Sequence, residues 1–140
     1  IMRRLPMAPP LTSYRVTSSF GKRRDPINKK WAAHYGLDMG SPFKSPVYVA
    51  APGVVKFAGW NGKFGKMIEI DHGAGLKTRF GHLNKILVKK GQQVNFRDKV
   101  GLLGSTGRST GAHLHYEVIF KGRSMNPLKF FKAGRYVFQE

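Results

Sequence analysis

Apolar and polar residues alternate over short runs from about residue 14 onward, and Gly or Pro separates the runs. This pattern predicts short β-strands joined by turns. The clearest run is His113–Phe120, because successive strand side chains point to opposite faces. One face is apolar and carries Leu114, Tyr116, Val118 and Phe120. The opposite face carries His113, His115, Glu117 and Ile119.

Several other segments have the same character. Val54–Trp60 and Lys63–Asp71 are rich in β-formers, and Asn61-Gly62 between them favours a hairpin because both residues accept a positive φ. Further strand candidates are Leu76–Leu83, Ile86–Val88 and Val100–Leu103. Helical patterns are few, and the best is Asn126–Lys132, which has Pro127 near its start.

These elements predict a mainly β fold, an antiparallel β-sandwich or half-open barrel with long loops forming a groove and few short helices. Residues 1–13 contain three prolines and are expected to form an irregular arm, so that one domain spans residues 14–140. No apolar segment follows Arg3 and Arg4, so this stretch is not expected to be a signal peptide. Because the chain begins with Ile1, we expect a fragment of a longer protein, with any signal or anchor upstream of it. The chain contains no run of 18 apolar residues, so no transmembrane helix is predicted.

The composition limits the chemistry. The chain has 140 residues and no cysteine, which excludes a disulfide scaffold and a zinc site made of thiolates. Lys and Arg number 25 against seven acidic residues, giving a net charge of +18. That charge favours a polyanionic partner, either nucleic acid or an anionic cell wall or membrane, and does not choose between them.

The histidines carry the strongest functional signal. Of the five, four lie in short motifs with possible partners, and together with one aspartate they could supply nitrogen and oxygen ligands for one zinc ion with imidazoles left for catalysis. These residues are His34, Asp38, His82, His113 and His115. The fifth, His72, follows Asp71 in a turn-like sequence and is expected to be a loop residue without a catalytic part.

The spacing within the motifs leaves alternatives open. His113 and His115 would share one strand face, roughly 6–7 Å apart, and the residues alone do not decide which of them binds metal. His34 and Asp38 would lie about 13 Å apart on a straight strand, so they share a metal only if the chain bends, for which Gly36 provides a place. A surface aspartate beside an unrelated histidine is the alternative.

Taken together the motifs resemble the lysostaphin-type zinc metalloendopeptidases, also called LytM-domain peptidases. The resemblance rests on their order and spacing, on the segment from Ser19 to Pro26, and on Ala50–Val55, Asp71–Gly75 and Val100–Gly107; it covers about residues 14–131. The three motifs themselves are His34-x-x-x-Asp38, Gly81-His82-Leu83 and Thr110-Gly-Ala-His113-Leu-His115-Tyr-Glu. One departure is Arg79-Phe80 where the family often has Tyr before x-His-Leu.

The resemblance implies a role for each matched residue. His34, Asp38 and His115 would bind one zinc ion per domain, with water in the fourth place, and His82 and His113 would orient that water and stabilise the oxyanion. Glu117 could support a metal-binding histidine or be an ordinary strand residue. The chain lacks the His-Glu-x-x-His motif, so a thermolysin-type site is excluded.

The resemblance also implies a substrate and a place. We expect cleavage of peptidoglycan stem peptides, most specifically the D-Ala–diaminopimelate cross-link, in the anionic bacterial envelope, periplasmic or extracellular, with a regulatory protein as a further partner. The alternative is a LytM-domain regulator that activates an amidase without catalysis of its own. A nucleic-acid-binding domain would leave the histidine pattern unexplained, so no specific nucleic acid is expected.

Overall fold

The computed structural model describes residues 6–24, 31–107, 109 and 111–138. This part of the chain forms strands for most of its length and one helix. The elements are β1 (Arg15–Ser18), β2 (Gly21–Arg24), β3 (Trp31–His34), β4 (Leu37–Gly40), β5 (Pro46–Tyr48), β6 (Gly53–Trp60), β7 (Lys66–Gly73), β8 (Leu76–Ile86), β9 (Gln93–Val94), β10 (Lys99–Leu103), β11 (His113–Phe120), β12 (Arg123–Met125) and α1 (Pro127–Phe138).

The strands form one large open sheet. Its main path runs in the order β1-β4-β11-β8-β7-β6-β9, while β10 pairs with β8 and β5, and β12 pairs with β11. All of these pairs are antiparallel. Strands β2 and β3 form a separate two-stranded ribbon. The predicted mainly β, antiparallel class with few helices is therefore confirmed, in the form of one large open sheet beside the small ribbon.

The hydrophobic core lies against one face of this sheet. From β11 it takes Leu114, Tyr116 and Val118, each with 0 % exposure, whereas Phe120 is 40 % exposed, so the predicted apolar face ends at Val118. Helix α1 contributes Phe131, whose ring stacks on Tyr116 at a centroid distance of 6.0 Å. Full burial of a large apolar side chain contributes about 1.5–3 kcal/mol, and these contacts hold β11 firmly in the sheet.

The predicted hairpin is present but its turn differs. Asn61 has φ −140°, outside the left-handed region, and a 3-10 turn over Gly62–Phe64 follows it. The Asn61 amide donates to the Gly65 carbonyl at 2.8 Å, so β7 begins at Lys66, three residues later than predicted. The turn is longer than an Asn-Gly turn because its residues pack against the loop that precedes β11, as described below.

Three further predictions are corrected by the structure. Leu76–Leu83 and Ile86 belong to one strand, β8, and Leu87 and Val88 follow it outside any strand. The helix begins at Pro127 and extends to Phe138, beyond the predicted end at Lys132.

The described part of the chain contains no helix long and apolar enough to cross a membrane.

The N-terminal segment packs against the domain. From Pro6 to Tyr14 it has no regular secondary structure, yet Met7 and Leu11 are buried. The Tyr48 amide donates to the Pro10 carbonyl at 2.9 Å, which ties this segment to β5. Residues 1–5 of the expected arm lie outside the described residues. The segment therefore leads directly into β1, the strand beside β4.

Candidate active site

Strand β11 is the centre of the site because it lies between β4 and β8. His115 of β11 faces Asp38 of β4 on one side and Gly81 of β8 on the other. Cross-strand partners present their side chains to the same face of a sheet. His113, His115 and Glu117 therefore lie opposite the core face of β11, as predicted, and rigid packing beneath them fixes their positions.

His34 and Asp38 are brought together by a bend. His34 ends β3 in the small ribbon, Asp38 lies in β4 of the large sheet, and the chain bends at Gly36 between them. His34 Nε2 is 3.4 Å from Asp38 Oδ2. A Cβ atom on Gly36 would lie 2.8 Å from His115 Cε1, and Gly36 does not have a positive φ. Glycine is thus required here by close packing against the site.

Three of the predicted residues form a group suited to a metal ion. One donor atom from each of His34, Asp38 and His115 lies within 4.8 Å of the others. The Asp38 carboxylate lies between the two rings, with Oδ1 2.7 Å from His115 Nδ1. Ligands of a tetrahedral zinc ion lie about 3.4 Å from each other, given bond lengths of about 2.0–2.2 Å. The donor set and its spacing therefore fit zinc.

The same contacts shift two ionisation equilibria. Burial alone would raise the pKa of Asp38, but hydrogen bonds and charge from His115 and His34 outweigh it and hold that pKa well below its usual range. Burial would lower the pKa of His115, but its contacts with Asp38 and Glu117 raise it to about 9. The metal-free site therefore holds a carboxylate beside an imidazolium, and a metal ion would replace the imidazolium proton.

Backbone carbonyls orient three of the rings. His34 Nδ1 is 2.8 Å from the Ser19 carbonyl, His82 Nδ1 is 2.7 Å from the Thr106 carbonyl, and His113 Nδ1 is 2.9 Å from the Gly111 carbonyl. A carbonyl only accepts, so Nδ1 donates in each ring. The Nε2 atom of each ring is thereby left as the atom that can bind a metal or exchange a proton.

His82 reaches the site through a β-bulge. Between the pairs Ile68–Phe80 and Lys66–Leu83, β8 has one residue more than β7. His82 lies in this bulge with φ +61°, a left-handed conformation that costs a non-glycine residue about 1–3 kcal/mol and is often found at functional sites. The bulge changes the alternation, so Phe80 and Leu83 stay in the core while the His82 ring lies 4.8 Å from the His113 ring.

Burial lowers the pKa of His82, and the neighbouring His113 and His115 lower it further, against the opposite effect of its bond to the Thr106 carbonyl. At neutral pH His82 is therefore a neutral imidazole. A neutral ring with a free Nε2 can accept a proton from water or donate one when protonated, as general acid–base chemistry requires. The structure thus places all five predicted residues in one cluster and assigns different surroundings to each.

Glu117 and Arg79 extend the cluster across the sheet. Glu117 Oε2 is 2.9 Å from His115 Nε2, and Glu117 Oε1 is 3.4 Å from Arg79 Nη1. Arg79 Nε also donates to Glu69 Oε1 at 2.7 Å. In the sequence, Arg79 and Phe80 stand out only as a departure from the family motif. Their partners depend on strand register, which the sequence pattern does not give.

The loop before β11 closes against the β6–β7 turn. A Cβ on Gly65 or Gly107 would overlap the backbone of the other segment, and both glycines have positive φ. The Thr106 hydroxyl accepts from the Lys66 amide at 3.1 Å, and Phe64 packs its ring 5.6 Å from His115. Gly65 and Gly107 thus allow the two segments to pack backbone against backbone. Three residues of the matched segments lie outside the described residues, namely Asp25, Pro26 and Thr110.

His72 differs from its prediction as a loop residue. It lies in β7 with 4 % exposure, and its two ring nitrogens contact the Pro52 carbonyl and the Thr78 hydroxyl, each at 2.8 Å. Burial lowers its pKa, so the ring is neutral at physiological pH. Both of its nitrogens are engaged in hydrogen bonds within the domain.

The fold and the donor set are those of a metallopeptidase domain, and comparison with known proteins identifies its family. Residues 32–127 match the model of peptidase family M23. The chain belongs to this family. It is 44 % identical over 119 residues to the peptidoglycan DD-endopeptidase ShyA of Vibrio cholerae, covering 84 % of this chain and 28 % of that protein. The chain therefore spans less than a third of the length of that curated relative.

Solved structures agree. A zinc-containing peptidase from Vibrio cholerae is 38 % identical with a TM-score of 0.82, covering 89 % of this chain and 39 % of that one. The catalytic domain of lysostaphin from Staphylococcus simulans is 30 % identical with a TM-score of 0.76, covering 85 % of this chain and 92 % of that domain. The resemblance to lysostaphin-type metallopeptidases inferred from the motifs is thereby confirmed.

Proposed function

We propose that residues 14–140 form the catalytic domain of a zinc-dependent endopeptidase that hydrolyses peptide cross-links of bacterial peptidoglycan. The observation that carries the proposal is the metal-ligand group His34, Asp38 and His115 with two oriented histidines, His82 and His113, beside it. Membership of peptidase family M23 supports the reaction class.

We assign His34, Asp38 and His115 as the ligands of one zinc ion. His34 would bind through Nε2 and His115 through Nδ1, because their other nitrogens contact Ser19 and Glu117. Three protein ligands leave a coordination position open, as in catalytic rather than structural sites. A zinc ion held there would polarise the scissile carbonyl and lower the pKa of water.

His82 and His113 are the proposed catalytic residues. Their Nδ1 atoms are held by carbonyl groups, which leaves the two Nε2 atoms available to the substrate. One neutral imidazole can take a proton from the attacking water at Nε2 and later supply it to the leaving amine, while the other, when protonated at Nε2, donates a hydrogen bond to the developing oxyanion. The rings lie 4.8 Å apart, so both can act on one peptide bond.

The substrate proposal is the D-Ala–diaminopimelate cross-link in the bacterial envelope, periplasmic or extracellular. It is supported by a relative named as a peptidoglycan DD-endopeptidase. The net charge of +18 would attract the domain to an anionic wall. The alternative of a regulator without catalysis is not favoured, because all five candidate residues are present and clustered.

Digestion of purified sacculi tests this proposal. The zinc-loaded chain, the chelated chain and the His115→Ala variant are each incubated with sacculi, and the released muropeptides are analysed by mass. We expect cross-linked dimers to disappear only with the zinc-loaded chain, yielding monomers that identify the bond. Intact dimers with a zinc-loaded chain would contradict the proposal, and loss of dimers with the chelated chain would contradict the role of zinc.

A further inference from the structure

A row of three residues crosses the sheet next to the proposed catalytic histidine. Gly40 of β4 faces His113 of β11 on one side and Arg15 of β1 on the other. Residues paired in this way present their side chains to the same face, and neighbouring strands lie about 4.8 Å apart. Arg15 and His113 are therefore on one face, about 10 Å apart at Cα, with only a glycine between them.

The missing side chain of Gly40 leaves space that Arg15 enters. A Cβ atom on Gly40 would lie 3.2 Å from Arg15 Nε and 3.4 Å from Arg15 Cγ. The arginine side chain thus lies over Gly40, across β4. A side chain at position 40 would press against the arginine here.

A cavity of about 430 Å³ opens at the same place, and its lining includes Arg15, Gly40, Ser41 and Ala112. Ala112 immediately precedes His113, so the cavity adjoins the proposed catalytic residue. One wall is fixed by the Ser41 hydroxyl, which donates to the Ser13 carbonyl at 2.8 Å. The cavity is polar on this wall and has the size of a site for a small group of a ligand.

The described residues provide no acidic partner for Arg15. The described carboxylates are engaged with other groups, namely those of Asp38, Glu69, Asp71, Asp98 and Glu117. A guanidinium beside a cavity is suited to a ligand carboxylate, which it can bind through two parallel hydrogen bonds. The Arg15 guanidinium therefore lies beside a cavity, and the described part of the chain supplies no carboxylate to pair with it.

We propose that Arg15 and this cavity form a subsite for a free carboxylate of the peptide substrate, within about three residues of the bond that is cut. The limit follows from the distance of about 10 Å between Arg15 and His113 and the rise of about 3.3 Å per extended residue. The inference rests on the proposed peptidase function and deepens it, because Arg15 would select peptides that carry a negative charge near the scissile bond.

The test compares two synthetic cross-linked peptides that differ only in whether this carboxylate is free or converted to a carboxamide. We expect the unmodified chain to cut the carboxylate peptide with a kcat/KM about tenfold higher, which corresponds to about 1.4 kcal/mol. Arg15→Gln should abolish that preference by raising KM for the carboxylate peptide, with kcat within about twofold. Arg15→Lys should restore part of the preference.

The matched control is Lys56→Gln, which removes one positive charge from an exposed position on β6. It should leave the preference unchanged. Equal cutting of the two peptides by the unmodified chain would overturn the subsite, as would an equal loss on both peptides in Arg15→Gln. If neither peptide is cut, the peptidase proposal fails, and calorimetric titration of both peptides then tests the subsite separately. Equal binding of the two peptides would reject the subsite. Tighter binding of the carboxylate peptide that is lost in Arg15→Gln would support it.

Discussion

His115 and Glu117, two residues apart on β11, are joined side chain to side chain, with His115 Nε2 2.9 Å from Glu117 Oε2. Residues i and i+2 share a strand face, so the contact needs no distortion of the backbone. It directs His115 Nδ1 towards Asp38, 2.7 Å away. Glu117 therefore decides which nitrogen of His115 is available to a metal ion.

Replacement of Glu117 should weaken zinc binding while the fold persists. Loss of a carboxylate that holds a metal-binding histidine typically costs 10–100-fold in affinity, and we expect a loss of this size in Glu117→Ala. Glu117→Gln should lose less, because its amide oxygen can still accept from Nε2. The measurement is competitive zinc titration alongside thermal unfolding of the metal-free proteins.

Glu69→Gln is the control for Glu117, since Glu69 contacts Arg79 and not His115 in the described structure. We expect its zinc affinity to stay within about twofold of the unmodified chain. A similar loss in Glu69→Gln and Glu117→Ala would assign the effect to the charge network as a whole and contradict a specific action on His115.

Substitutions of His113 and His115 should have different effects on zinc binding and on turnover. His115→Ala removes a proposed ligand and should lose both bound zinc and activity. His113→Ala should retain zinc and lose turnover by about 10²–10⁴-fold, the usual contribution of a general acid or base. Zinc content by elemental analysis and single-turnover rates measure the two effects. Equal zinc loss in both variants would contradict this division of roles.

His82 requires a substitution that respects its backbone. Its φ of +61° is unfavourable for alanine, whereas asparagine adopts left-handed conformations readily. His82→Asn should therefore keep the bulge and the bound zinc while turnover falls by about 10²-fold or more. Normal activity in a folded, zinc-loaded His82→Asn would exclude His82 from catalysis.

Zinc affinity should increase with pH. In the metal-free protein the pKa of His115 is raised to about 9, so zinc must displace a proton below that value. Asp38 stays ionised, because its pKa is held well below the usual range. We expect the affinity to rise about tenfold per pH unit between pH 7 and 8. A flat profile over this interval would show that His115 is already neutral without metal.

The stability of the metal-free protein should have the opposite trend. A raised folded-state pKa stabilises the fold fully below the unfolded value of about 6.5, and the gain is lost as pH rises through about 9. This contribution predicts lower stability of the metal-free chain at pH 9 than at pH 6. The measurement is denaturant unfolding of the unmodified chain and of His115→Ala at both pH values. The variant should lack the part of the stability change between pH 6 and pH 9 that comes from His115.

The class of fold could be predicted because apolar and polar residues alternate in the strands, which shows the buried face, and because Gly or Pro marks the turns between strands. The motif residues were found because histidine is rare in this chain and clusters in three places. The pairing register of the strands and the position of the β-bulge could not be predicted from the sequence pattern. The bulge at His82, the contact of Glu117 with Arg79, and the placing of Gly40 between Arg15 and His113 all depend on which strand pairs with which, and at what offset.

Gly36 gives a final test of how closely the site is packed. A Cβ there would come within 2.8 Å of both His115 Cε1 and the Tyr116 carbonyl oxygen. Gly36→Ala should therefore destabilise the metal-free chain by about 1–3 kcal/mol and reduce zinc affinity by displacing His115. Gly59→Ala is the control, because among the described residues other than its chain neighbours its added Cβ would meet only Phe57 Cζ, at 3.9 Å. It should leave zinc binding unchanged. Wild-type stability and affinity in Gly36→Ala would mean that the β3–β4 bend adjusts freely, and the close approach would then not explain glycine at this position.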